Sequence, residues 1–136
     1  MRINAPSANN PDKSSSSAMK NLEQIRAQSA LDAVKEQPDM KRSGVNKLPA
    51  MIIANGLLAT AAFCNAEGGG ESRDDMKKAL TATAKHLADR GHLAPKTASV
   101  EAMIADLSKR DSHHLQRATA EALAFIAYLK RFAKKD

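Results

Sequence analysis

Aromatic residues are nearly missing from this 136-residue chain: it has no tryptophan, one tyrosine and three phenylalanines. Neither a β-sandwich core nor a set of base-stacking aromatics can be built easily from so few, so alanine, leucine and methionine must fill the interior. That composition favours helices packed at close range. Cys64 is the lone cysteine. A single thiol forms neither an internal disulfide framework nor a multi-thiolate zinc site, and a reducing cytoplasm fits it. The opening residues, MRINAPSANNPDKSSSS, lack the apolar core of a signal peptide. The longest apolar run, Leu48 to Cys64, is short for a membrane span and contains Pro, Asn, Gly and Thr. A buried helix is the better reading, and a cytoplasmic protein the expectation.

What the chain has in excess is positive charge, +6 in total. Lys13 to Lys47 holds seven basic and four acidic residues, and Lys109 to Asp136 seven basic and three acidic. The middle is close to balanced. Lysines and arginines that neutralise phosphates release counterions, which suits a polyanionic partner. A solvated basic surface has the same composition, and charge alone serves both readings equally.

The hydropathy pattern predicts an all-α protein, a compact bundle of about five helices. A disordered polar leader is expected over residues 1–16, followed by one helical domain over 17–136. The first helix is expected from Ser17, capped by the end of the serine run, to Glu36. Its apolar set is Met19, Leu22, Ile25, Ala27, Ala30, Leu31 and Val34, and Pro38 lies just past its end. A basic connector, DMKRSGVNK, follows.

The second helix is apolar on almost every side. Pro49 suits its first turn, and a segment apolar all round is expected to be buried all round, as the central helix of the bundle. Gly56 would let another backbone approach closely. Asn55-Gly56 would signal a hairpin between alternating strands, but its flanks are continuously apolar. After the Gly68–Gly70 loop, the third helix is expected to start at a Ser72 cap, bury Met76, Leu80, Thr83 or Ala84, and Leu87, and stop at Gly91. The fourth, about Ser99 to Lys109, buries Val100, Met103, Ile104 and Leu107. The fifth, about Ser112 to Lys134, turns Leu115, Ala118, Ala122, Phe125, Ile126, Leu129 and Phe132 inward.

Constellations with chemistry are few. His86, His92, His113 and His114 include no i, i+4 pair and no HExxH, so a surface role is expected for them and no metal site. Cys64 has no histidine near it in sequence and reads as a small buried hydrophobe. Asp74 with Lys78 and Asp106 with Arg110 are paired at helical spacing. Glu121 stands among alanines, and is expected to tie the last helix to another helix or subunit. The glycine run lacks the lysine and hydroxyl of a phosphate loop. What remains is the basic residues, whose contact with a nucleic-acid backbone would position without reading sequence.

Two blocks resemble a known family. KLPAMIIANGLLATAAF, Lys47 to Phe63, sets a basic residue and Leu-Pro ahead of an apolar helix containing Asn-Gly-Leu. LQRATAEALAFIAYLKRFA, Leu115 to Ala133, carries Thr-x-Glu-Ala-Leu and then Leu-Lys-Arg-Phe-Ala. In content, order and separation they resemble the small all-helical subunit of the CRISPR type III-B Cmr RNA-guided effector complex. The resemblance implies a non-catalytic subunit without cofactors, acting in antiviral defence. Copies of it would form a short filament along the duplex of guide RNA and target RNA, touching the backbone and large subunits. Lys47, Pro49, Asn55 and Gly56 match the first block, and Thr119, Glu121, Lys130 and Arg131 the second. Lys47, Lys130 and Arg131 are the candidates for RNA or subunit contact, and Lys41, Arg42 and Arg117 join them on charge alone. The long leader and the Gly68–Gly70 loop depart from the family pattern. The alternative is a helical DNA-binding transcriptional regulator, which would need a polar, exposed recognition helix after a tight turn.

Overall fold

The first described helix is fixed by a reciprocal cap. In the computed structural model, which describes residues 20–136, the Asn21 side chain accepts the Gln24 amide and the Gln24 side chain accepts the Asn21 amide, both at 2.9 Å. This capping box starts α1 at Leu22 and carries it to Glu36. The expected leader, the serine cap and Met19 lie outside the described residues. Ala30 and Ala33 are the buried residues of α1, whereas Leu22 and Leu31 are exposed. The inward face is therefore narrower than its hydropathy suggested.

Within the basic connector the chain makes one helical turn, α2 (Arg42–Val45), and buries Met40 and Val45 completely. The close-approach glycine is here. A Cβ on Gly44 would lie 2.6 Å from the Cβ of Asp75, well inside contact distance.

The apolar segment forms two helices, α3 (Leu48–Asn55) and α4 (Leu57–Asn65), with Pro49 in the first turn of α3 as expected. Gly56 separates them at φ 92° and ψ 159°, a backbone conformation open essentially to glycine alone. A Cβ at Gly56 would meet nothing within 4 Å, so conformation and not close approach demands this glycine. The break also overturns the expected burial on every face. Leu48, Ile52, Leu57, Ala61 and Cys64 point inward, but Ile53 is 75% exposed and Phe63 44%. Arg73 lies over the Phe63 ring, 4.1 Å from its centroid.

Helix α5 (Glu71–Asp89) starts one residue before the expected Ser72, with Gly70 in the cap position. Its far end follows expectation. Gly91 has φ 82°, its amide donates to Ala88 O at 3.1 Å, and the His92 amide donates to Leu87 O at 2.8 Å. That pair of bonds is a Schellman cap. Helices α6 (Val100–Ser108) and α7 (Ser112–Phe132) are capped by Ser99 and Asp111, whose side chains accept the Ala102 and His114 amides.

Helix α5 packs against α1, α2, α4, α6 and α7, and α7 against α1, α2, α3 and α5. These two, and not the apolar segment, are the centre of the bundle. Phe125, Ile126 and Leu129 of α7 and Leu80 and Leu87 of α5 are fully buried there with Met40, Leu48, Ile52, Leu57, Met103 and Leu107. No strand is present among the described residues. An isolated parallel bridge is present, in which Arg42 N donates to Lys134 O at 2.8 Å and Lys134 N to Met40 O at 3.0 Å.

The Gly56 break gives a direct prediction. Gly56→Ala forces a side chain into a strained backbone conformation and is expected to destabilise the fold by about 1–3 kcal/mol. Urea unfolding of the two proteins measures it, and equal stabilities would contradict the assignment.

Candidate functional site

Glu121 is the polar centre of the molecule. It sits on the inward side of α7 and is 6% exposed. Arg26 of α1 grips it with both arms of its guanidinium, Nε to Oε2 at 2.9 Å and Nη2 to Oε1 at 2.7 Å. His86 of α5 reaches Oε2 with Nε2 at 2.8 Å. The other nitrogen of that ring, Nδ1, lies 2.9 Å from Ser29 Oγ, and the ring stacks on Phe125 at 4.4 Å between centroids. Three helices are thereby joined through one carboxylate.

The protonation states follow from the surroundings. Burial disfavours the Glu121 charge, but the hydrogen bonds and positive field of Arg26 and His86 prevail and hold its pKa at about 2. Burial pushes the His86 pKa below its ordinary value against the pull of Glu121, and Arg90 and Arg26 push the same way. The ring is therefore neutral near pH 7. Its Nε2–H donates to Glu121 and its Nδ1 accepts the Ser29 hydroxyl, an assignment made from this network.

The chain of hydroxyl, imidazole and carboxylate has the connectivity of a nucleophile relay. Its setting argues for a clamp instead. Arg26 already engages both oxygens of Glu121, and Ser29 lies in the middle of α1, where the neighbouring amides are bonded along the helix. The expected tie from Glu121 to another helix is present; the expected surface position of His86 is not, since it is 1% exposed. Sequence spacing carried the signal: His86 falls three residues after Thr83 and seven after Ala79, both buried. Arg26 and Ser29 carried none.

The other histidines contribute locally. His114 Nε2–H donates to His92 O at 2.7 Å, and His113 is exposed. Among the described residues no group of three His, Cys, Asp or Glu side chains is placed to hold a metal. Cys64 is buried, and burial raises its thiol pKa.

The structure divides the six candidate basic residues. Arg42 is engaged inside the protein: its Nη2 donates to Arg131 O at 2.7 Å and Ala133 O at 3.2 Å, satisfying carbonyls at the end of α7. Lys41 pairs with Glu71 at 3.5 Å, and its amide donates to Asp75. Lys47 is exposed at the start of α3, while Arg117 and Arg131 are exposed on α7 and Lys130 is half-buried there. Adjacent helical residues diverge by about 100°, so Lys130 and Arg131 serve different faces. Arg117 and Arg131 share one face, separated by about 21 Å along the helix axis. Ala120, Ala124 and Ala127 lie between them, with Ala120 and Ala127 exposed and Ala124 half-buried.

The two sequence blocks meet at an open groove of about 630 Å³. Asn55, Gly56, Leu57, Leu58 and Ala59 form one wall, and Leu115, Gln116, Thr119, Ala120 and Leu123 the other. Thr119 turns its hydroxyl back to Leu115 O at 2.7 Å, leaving its methyl group for the groove. No charged side chain lines it.

A family model described as CRISPR-associated protein (Cas_Cmr5) covers residues 22–135, from the first residue of α1 to just past α7. No curated protein and no solved structure matches the chain.

The charge cluster sets an acid limit. His86, with its lowered pKa, stabilises the fold above its unfolded value of about 6.5 and loses that contribution as pH falls below it. Glu121 acts from about 4.3 down to its folded value of about 2. The melting temperature is therefore expected to be flat above pH 7 and to fall progressively below it. Glu121→Gln should cost about 2 kcal/mol at pH 7, because Arg26 loses its anion while keeping some access to water. Thermal melts from pH 4 to pH 9 check the first statement, and urea titrations of the two proteins at pH 7 the second.

Proposed function

The chain belongs to the CRISPR-associated Cas_Cmr5 family, and we propose that it serves the type III-B Cmr complex as a non-catalytic subunit contacting the backbone of the guide RNA–target RNA duplex. Copies of it stack in a short filament, each joined to the next by a heterologous contact. No helix among the described residues is long and apolar enough to cross a membrane.

The observation that carries the RNA contact is the outward face of α7. Arg117 and Arg131 bracket exposed alanines, so a sugar–phosphate backbone can come close to the helix and meet a guanidinium at either end. The few aromatic rings fit such use. Tyr128 donates its hydroxyl to Glu23 at 3.1 Å, Phe125 is buried, and Arg73 already occupies one face of the Phe63 ring. Contact limited to phosphates is indifferent to base sequence, as a subunit that repeats along any guide duplex requires.

A structural role is supported by where the reactive groups lie. The Cys64 thiol is buried, and the Glu121 carboxylate is saturated by Arg26 and His86. Ile53, exposed on α3, offers an apolar contact for a neighbouring copy.

Reversing Arg117 and Arg131 to Glu tests the RNA contact in the complex purified from its host. The variant is expected to keep its circular-dichroism spectrum and its partner subunits but to retain less RNA. The loss should grow with salt, and the slope of log affinity against log salt should fall by about one for each phosphate contact removed. Equal retention at every salt concentration would remove this face from the RNA.

A further inference from the structure

The groove between the α3–α4 junction and α7 has a chemistry unlike that of the arginine-bracketed face. Its lining is apolar or neutral throughout, so a phosphate placed in it would be desolvated without a partner. On the groove's own stripe of α7, charge follows at one end. Leu115, Thr119 and Leu123 fall on one stripe of α7, and Lys130, seven residues after Leu123, continues that stripe about 10 Å further along the axis. Lys47 reaches the same end by topology. Arg42 is held on the last carbonyls of α7, while Asn55 and Gly56 lie beside Leu115, Thr119 and Leu123. Helix α3 must therefore run antiparallel to α7, which places Lys47 towards Lys130. No carboxylate among the described residues pairs with either lysine.

From this placement we propose that the groove docks an amphipathic helix of a different subunit of the complex, its apolar face against Leu58, Leu115 and Leu123 and its acidic end against Lys47 and Lys130. Two helical walls lined by apolar side chains present the kind of groove in which an amphipathic helix lies lengthwise. The lysines set the direction in which that helix lies, since its acidic residues are stabilised where the groove's stripe runs on to Lys130. Lys47 and Lys130 thus belong to protein recognition, and Arg117 and Arg131, on the face of α7 that adjoins the groove at Ala120, to RNA. This assignment rests on the chain's proposed place in the Cmr complex. Ile53 takes no part, because it lies about 200° round α3 from Asn55.

The test uses the full chain in the assembled complex. A photo-crosslinking amino acid is placed at Ala59, an exposed groove position, and the cross-linked peptides are identified by mass spectrometry. The expected product is a helical segment of another subunit that carries Asp or Glu at one end. In parallel, Ala59→Tyr should fill the groove and Lys47→Glu with Lys130→Glu should repel the acidic end. Each should lower recovery of that subunit by about tenfold or more while circular dichroism and the melting temperature stay unchanged. A cross-link to RNA, to a second copy of this chain or to residues 1–19 of the same chain overturns the inference and leaves the RNA contact standing. So does full recovery of the subunits by both variants. Failure of the unaltered chain to recover any Cmr subunit overturns the proposed function and this inference together.

Discussion

The rest of the structure depends on a single carboxylate that is kept charged inside the protein. Glu121 lies where burial opposes its charge, and it survives there because α1 supplies a guanidinium and α5 an imidazole at hydrogen-bond distance. Neither α1 nor α5 can shift against α7 without leaving an ionised group unsatisfied. The apolar contacts around it come largely from alanines and leucines, which tolerate sliding better than interlocked aromatic rings do. Fixing the register of the helices therefore falls to the polar cluster, and the positions of both outer faces of α7 follow from it.

How much of this was legible in the sequence depends on whether the cause was local. Pro49 in a first turn and the Gly91 stop rest on chemistry within a few residues, and both are where they were expected. The inward apolar set of α7 follows helical spacing and was nearly complete, whereas that of α5 was caught at its large residues and missed Ala79, Ala82 and His86. Gly56 was misread because two different physical needs call for the same residue. Close approach is met at Gly44, and the special backbone conformation at Gly56. The partners of Glu121 were out of reach. Arg26 is 95 positions away in the chain, and an arginine on a surface-seeking face carries no mark of the helix it will meet.

The segment once expected at the centre lies at the edge for a related reason. Hydrophobicity on every face says that every face will be covered, but not by which molecule. Leu48, Ile52 and Leu57 are covered by this chain, whereas Ile53, Asn55, Gly56 and Ala59 stay exposed. The two family blocks, distant in sequence, meet in the groove that Asn55, Gly56 and Ala59 line.

The span between Arg26 and Glu121 also bears on how the chain comes into being. Synthesis at the usual pace places about 5–20 s between the appearance of the two residues. During that interval α1 has no α7 to pack against, and Ala30 and Ala33 have no core to enter. Local helices can form within microseconds, yet the closing step must wait for the last long helix. For a protein made only of helices, the bundle thus has an unusually late moment of completion, and the nascent chain has to keep its apolar faces from other chains until then.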